Sequence, residues 1–128
     1  MRNRSNRITV ALAAAVLALG LAPFAGAGTA AQAATAATVV KVKAGAPTIF
    51  AFKLSTKTLA SPGKVTFVVT NVGKIPHDFK INGKKTPMIQ PGKTAKLPVT
   101  FAKKGKYPYL CTVPGHAAAG MKGVFTVK

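Results

Sequence analysis

The sequence predicts an all-β fold, a sandwich or barrel of about seven to eight short strands. Two observations lead there. Beyond residue 38, apolar residues alternate with lysine and threonine at a period of two, as strands with one buried face require. Glycine, proline and asparagine then cut the chain into short runs, and helical periodicity is almost absent after the first 33 residues.

The runs can be taken in order. Val40 and Val42 alternate with Lys41 and Lys43, and Phe50, Phe52 and Leu54 share a face. Ser61-Pro62-Gly63 turns the chain into Lys64 to Asn71, where Val65, Phe67 and Val69 have one parity. His77, Phe79 and Ile81 are expected to face one way, with Asp78 and Lys80 facing the other. Asn82-Gly83 is a tight-turn dipeptide, and Gln90-Pro91-Gly92 is a second turn. Ala95, Leu97, Val99 and Phe101 alternate with Thr94, Lys96, Pro98 and Thr100; Pro98 marks an edge strand or a bulge, because it has no N–H for a ladder. Lys103 to Lys106 turns into Tyr107–Cys111, and Gly123 to Lys128 closes the chain. Tyr107, Tyr109 and Cys111 share a parity, so a buried Cys111 implies that both tyrosines face the core.

The first segment reads differently. Arg2, Arg4 and Arg7 precede an apolar run from Ile8 to Ala22, and Ala31-Gln32-Ala33 is a small-residue cleavage pattern. Residues 1–33 are therefore expected to be a secretory signal peptide, the run being shorter than the roughly 20 residues of a membrane span. Residues 34–38 are expected to form a flexible mature N-terminus and residues 39–128 one domain. The protein is expected to be exported, to the periplasm or to the extracellular surface.

Beyond the signal, 16 lysines face one acidic residue, Asp78, a net charge of +15. Every basic residue there is lysine, whereas base and phosphate readout favours arginine, so specific nucleic-acid binding is not expected. A diffuse lysine coat suits solubility, attraction to acidic protein partners, and electrostatic contact with an anionic membrane or cell-wall surface. A monomer is expected.

The chemistry-bearing residues are few. The chain has one cysteine and two histidines. Cys111, His116 and Met121 follow the spacing C-x4-H-x4-M, and His77 lies upstream in N-V-G-K-I-P-H-D-F. Taken singly, a buried cysteine is usually a small hydrophobe and a methionine core filler. Together, two imidazoles, a thiolate and a thioether form the donor set of a type 1 copper site that shuttles between Cu(II) and Cu(I). His116 and Met121 lie on a loop that must double back, with Pro114-Gly115 as its turn and Gly120 before Met121.

The motifs N-x-G-x-x-P-H, Y-x-Y-x-C and C-x4-H-x4-M, over about Val39 to Lys128, resemble those of the cupredoxins, small blue-copper proteins of the plastocyanin and auracyanin kind. The resemblance implies a Greek-key β-sandwich holding copper near one end through His77, Cys111, His116 and Met121. It implies a one-electron carrier between redox partner proteins rather than an enzyme. Asn71 resembles the family asparagine that ties the His77 loop to the residue after the cysteine, here Thr112, although it could equally cap the Asn71-Val72-Gly73 turn. The Asp78 backbone N–H is placed by the same resemblance toward the thiolate. An apolar patch of Ile75, Pro76, Pro114, Gly115 and Ala117 to Ala119 is implied around His116. Two departures stand out: the Cys-to-His spacing is longer than in plastocyanins, and Leu110 replaces an aromatic before the cysteine.

Rival functions are narrowed by the same counts. A multicopper oxidase needs further histidines, and two in total exclude it for this chain alone. A Cys–His nucleophile is conceivable but leaves Met121 and the second histidine without a role. A copper chaperone or storage protein using the same four ligands is the alternative to an electron carrier.

Overall fold

Alternation of burial shapes the two sheets of the protein. A computed structural model describes Gly26 and residues 36–128 of the chain. The expected signal segment therefore lies outside the described residues, apart from Gly26. Nine strands follow in order: β1 (Thr38–Ala44), β2 (Phe52–Leu54), β3 (Thr58–Leu59), β4 (Gly63–Asn71), β5 (Lys80–Ile81), β6 (Lys84–Lys85), β7 (Thr94–Phe101), β8 (Gly105–Leu110) and β9 (Lys122–Val127). The described residues contain no helix.

One sheet has the order β2-β1-β4-β7 and the other β3-β9-β8-β5-β6. The pairs β1–β4 and β3–β9 are parallel; the remaining pairs are antiparallel. The chain changes sheet between β2 and β3, β3 and β4, β4 and β5, β6 and β7, and β7 and β8. These crossings interleave the two sheets as a Greek-key sandwich requires, in agreement with the expected fold.

The three long strands of the first sheet follow the sequence pattern. Val40, Val42 and Ala44 are buried on β1, Val65, Phe67 and Val69 on β4, and Leu97, Val99 and Phe101 on β7. β7 is an edge strand, and Pro98 sits opposite Thr66 in unbroken register, so the edge explains its tolerance. An aromatic cluster fills the space between the sheets. The Phe67 ring centroid lies 5.2 Å from Phe79 and 5.4 Å from Phe125, and Phe52 stands edge-on to Phe79 at 5.2 Å. Each such buried side chain contributes on the order of 1.5–3 kcal/mol by leaving water.

Several expectations need correction. Strands number nine because β3, β5 and β6 are only two residues long. β1 begins at Thr38, paired with Val65, so that residue belongs to the sheet and not to a loose N-terminus. Tyr109 is buried and Tyr107 half-buried; both face the core as expected, the Tyr107 ring packing edge-on to Phe101 at 4.7 Å while its hydroxyl donates to the Lys103 carbonyl at 2.6 Å. The strand expected over residues 77–81 is regular only at Lys80–Ile81; His77 makes an isolated bridge to Ile89. His77, Asp78 and Phe79 are consecutively buried, which strict alternation forbids.

Candidate metal centre

Cys111 lies immediately beyond β8, where its backbone N–H donates to the Met121 carbonyl at 3.1 Å. The Met121 N–H donates in turn to the His116 carbonyl at 3.0 Å. The loop from Cys111 to Met121 is thus closed by hydrogen bonds between its three candidate ligands. Gly120 adopts φ +112°, a left-handed conformation that a side chain would strain, and this lets the loop return to β9. His77 comes from the segment between β4 and β5, fixed by reciprocal backbone bonds with Ile89 of 3.1 and 2.7 Å.

Three side chains converge. His77 Nδ1 and His116 Nδ1 are 3.2 Å apart, and Cys111 Sγ lies 3.5 Å from His116 Nδ1 and 4.0 Å from His77 Nδ1. A point equidistant from the corners of this triangle is about 2.1 Å from each, within the ~2.0–2.3 Å lengths of metal bonds to imidazole nitrogen and thiolate sulfur. The donor spacing therefore fits a metal ion, which His77, Cys111 and His116 would hold. Met121, wholly buried, is held beside them by the loop bonds to Cys111 and His116. His77 and Cys111 are also buried, leaving His116 as the half-exposed member.

Outer contacts fix these donors. Asp78, the single acid of the chain, is 1% exposed; its carboxylate accepts from the Thr112 N–H at 2.6 Å and from the Thr112 hydroxyl. It thereby joins the residue after His77 to the residue after Cys111. The Lys85 ammonium approaches at 3.9 Å from an exposed side chain and adds little. The sequence reading gave the Thr112 tie to Asn71, and the structure gives it to Asp78. Asn71 instead donates to the Ile75 and Ile89 carbonyls, each at 2.8 Å, and caps the turn by accepting from the Gly73 N–H at 2.9 Å. It braces the His77 loop without reaching the cysteine. The backbone N–H groups of Asp78 and Val113 both favour the charged form of the Cys111 sulfur.

Behind His77 the chain is tightly apposed. A Cβ at Gly45 would lie 2.8 Å from Gly73 Cα, so a side chain there would force the two loops apart. His77 Nε2 is enclosed near both glycines and has no hydrogen-bond partner. With Nδ1 facing the other donors, Nε2 carries the ring hydrogen when Nδ1 binds metal.

Phe50 was expected on a strand face with Phe52 and Leu54. It lies outside β2 and packs edge-on against His116, ring centroids 5.1 Å apart. Beside His116 opens a cleft of about 490 Å³ lined by Ile75, Pro76, Met88, Val113 and His116. Ile75 and Pro76 were anticipated there; Met88 and Val113 were not, because only tertiary packing brings them to the loop.

Burial lowers the His77 pKa from 6.5, helped by the nearby His116 and opposed by Asp78. Burial likewise raises the Cys111 thiol above 9.0, opposed by the Asp78 and Val113 N–H groups. The signs set a pH window for the metal-free protein. Below about pH 6.5 the unfolded chain protonates its histidine before the folded one does, so stability falls with pH. Above about pH 9 the unfolded chain loses its thiol proton first, so stability falls as pH rises. Urea midpoints of metal-free protein are expected to peak between these limits, and Cys111→Ala should flatten the decline between pH 9 and 10. An undiminished alkaline decline in that variant would assign it to another group.

Comparisons with known proteins agree with this geometry. Residues 35–128 match the family of copper binding proteins described as plastocyanin/azurin. A copper-resistant cuproprotein, CopI, of Vibrio cholerae is 35% identical over 78 residues, covering 44% of this chain and 46% of that protein. Auracyanin-B of Chloroflexus aurantiacus is 43% identical over 42 residues, covering 33% of this chain and 18% of that protein. The matched stretch is thus less than half the length of either relative. The structure of reduced auracyanin from Roseiflexus castenholzii superposes with a TM-score of 0.59 at 23% identity, covering 71% of this chain and 96% of that one. The fold and donor set define a cupredoxin with a type 1 copper centre. The chain belongs to the plastocyanin/azurin family of copper binding proteins, and copper is its cofactor.

Proposed function

We propose that the protein is an exported type 1 copper protein that carries single electrons between redox partners, with His77, Cys111, His116 and Met121 as ligands. The observation that carries this reading is the preformed triangle of donors, two of them buried and one, His116, open to a cleft. Bound copper supplies a one-electron couple whose two states accept the same donors. The protein's part is to hold those donors still: the backbone bonds among Cys111, His116 and Met121, with the Asp78–Thr112 tie, resist rearrangement when the charge changes. Four donors leave no position for a substrate, which favours a carrier over an enzyme. The apolar cleft gives a partner close approach to the imidazole edge, and 16 lysines attract acidic partners to the protein.

The second reading is copper handling, favoured by the likeness to a protein named a copper-resistant cuproprotein. Repeated reduction and reoxidation in the presence of a Cu(I) chelator separates the two. A carrier is expected to recover its full visible absorption after many cycles. Progressive bleaching, with copper appearing on the chelator, would overturn the carrier reading in favour of handling.

A further inference from the structure

We propose that Met88 is a copper-capture residue: its thioether and the His116 imidazole form a transient Cu(I) entry site at the cleft, through which the buried centre is loaded. The inference rests on the copper-binding reading above and holds for either an electron carrier or a copper-handling protein.

The first argument is access. Cys111, His77 and Met121 are at most 1% exposed, so the half-open His116 side offers the route inward. The second is chemistry. The cleft on that side is walled by Ile75, Pro76 and Val113, none of which has a side-chain donor; Met88 alone adds one, a sulfur, to the ring of His116. Thioether sulfur is a soft donor that selects Cu(I) over harder ions. The third is exposure. Met88 is 49% exposed although it is a large apolar side chain. Scattered exposed apolar residues are ordinary, but this one shares a cleft with a metal ligand. The fourth is charge. With 16 lysines and one buried carboxylate, the protein repels free cations. Delivery by ligand exchange at a neutral thioether avoids that barrier.

The exchange balances without electron transfer. Met88 Sδ and His116 displace donors from a Cu(I) complex, with copper remaining Cu(I). Cys111 then binds as thiolate, its S–H proton passing to water, and Met88 is released.

The test loads metal-free protein anaerobically from Cu(I) held by a methionine-rich peptide. Samples taken over time are oxidised and their visible absorption measured. Met88→Leu keeps the volume and apolarity of the cleft and removes only the sulfur. It is expected to slow uptake about tenfold or more, the change that ~1.4 kcal/mol in a barrier gives. Equilibrium Cu(I) affinity and the final spectrum should match wild type. Uptake by the variant at wild-type speed would overturn the proposal. So would an affinity reduced as much as the rate, which would make Met88 a permanent ligand. Failure of wild type itself to bind copper would instead sink the functional reading beneath it.

Discussion

Replacing Cys111 by serine is expected to abolish the intense visible absorption of the copper-loaded protein. That band requires a thiolate bound to Cu(II), and the chain has no second cysteine to supply one. Serine leaves two imidazoles and a thioether, so copper binding should weaken by more than the roughly 10–100-fold that loss of an outer-shell partner produces. The metal-free fold should persist. The Asp78 and Val113 N–H groups that favour the charged sulfur can favour a hydroxyl oxygen in its place. Urea unfolding of metal-free variant and wild type should therefore differ by no more than about 1–2 kcal/mol, in the ordinary range for a point substitution. Absorption spectra after Cu(II) addition check the first expectation. A variant that remained blue would show that Cys111 is not the thiolate donor.

The parts of this molecule that could be read in the sequence are those in which one local rule governs. On β1, β4 and β7 each strand has one buried face, so Val40, Val65, Phe67 and Val99 announce themselves by alternation. The ligands were legible for a different reason. Rarity singles out Cys111, His77 and His116 in a chain with one cysteine and two histidines, and the even C-x4-H-x4-M spacing adds Met121. The two-residue strands β3, β5 and β6 could not be read, because sheet pairing with distant partners defines them and two residues have no periodicity. Asp78 was misplaced because alternation was extended through His77, where the backbone leaves the regular strand and buries three residues in succession. Its solitude among 16 lysines was the available signal: a lone carboxylate in so basic a chain has a specific use. Phe50 and Met88 gave no comparable sign, since an apolar residue beside a metal ligand looks in sequence like any other core residue.

Asp78→Ala is expected to be among the most damaging single substitutions outside the ligands. The carboxylate is buried and accepts two bonds from Thr112, one from the backbone and one from the hydroxyl. Bonds to a charged acceptor contribute about 1.5–3 kcal/mol each, and their loss strands the Thr112 N–H in a part-buried position. A fall of about 3–5 kcal/mol in the stability of metal-free protein follows, a large part of the roughly 5–15 kcal/mol by which native domains are stable. Lys85 does not enter this figure, because its exposed ammonium is well solvated with or without the partner. Asp78→Asn discriminates between shape and charge. Its amide oxygen can still accept from the Thr112 N–H, and its amide nitrogen can donate to the Thr112 hydroxyl, so it should recover more than half of the loss. The same pair of variants tests the link to the metal. Asp78 ties the chain beside His77 to the chain beside Cys111, so its removal should broaden and shift the visible band, while asparagine should leave the band near its wild-type position. Urea unfolding of metal-free protein and spectra of loaded protein give the two readouts separately. Wild-type stability and an unmoved band in Asp78→Ala would show that the Thr112 tie neither holds the fold nor sets the donors.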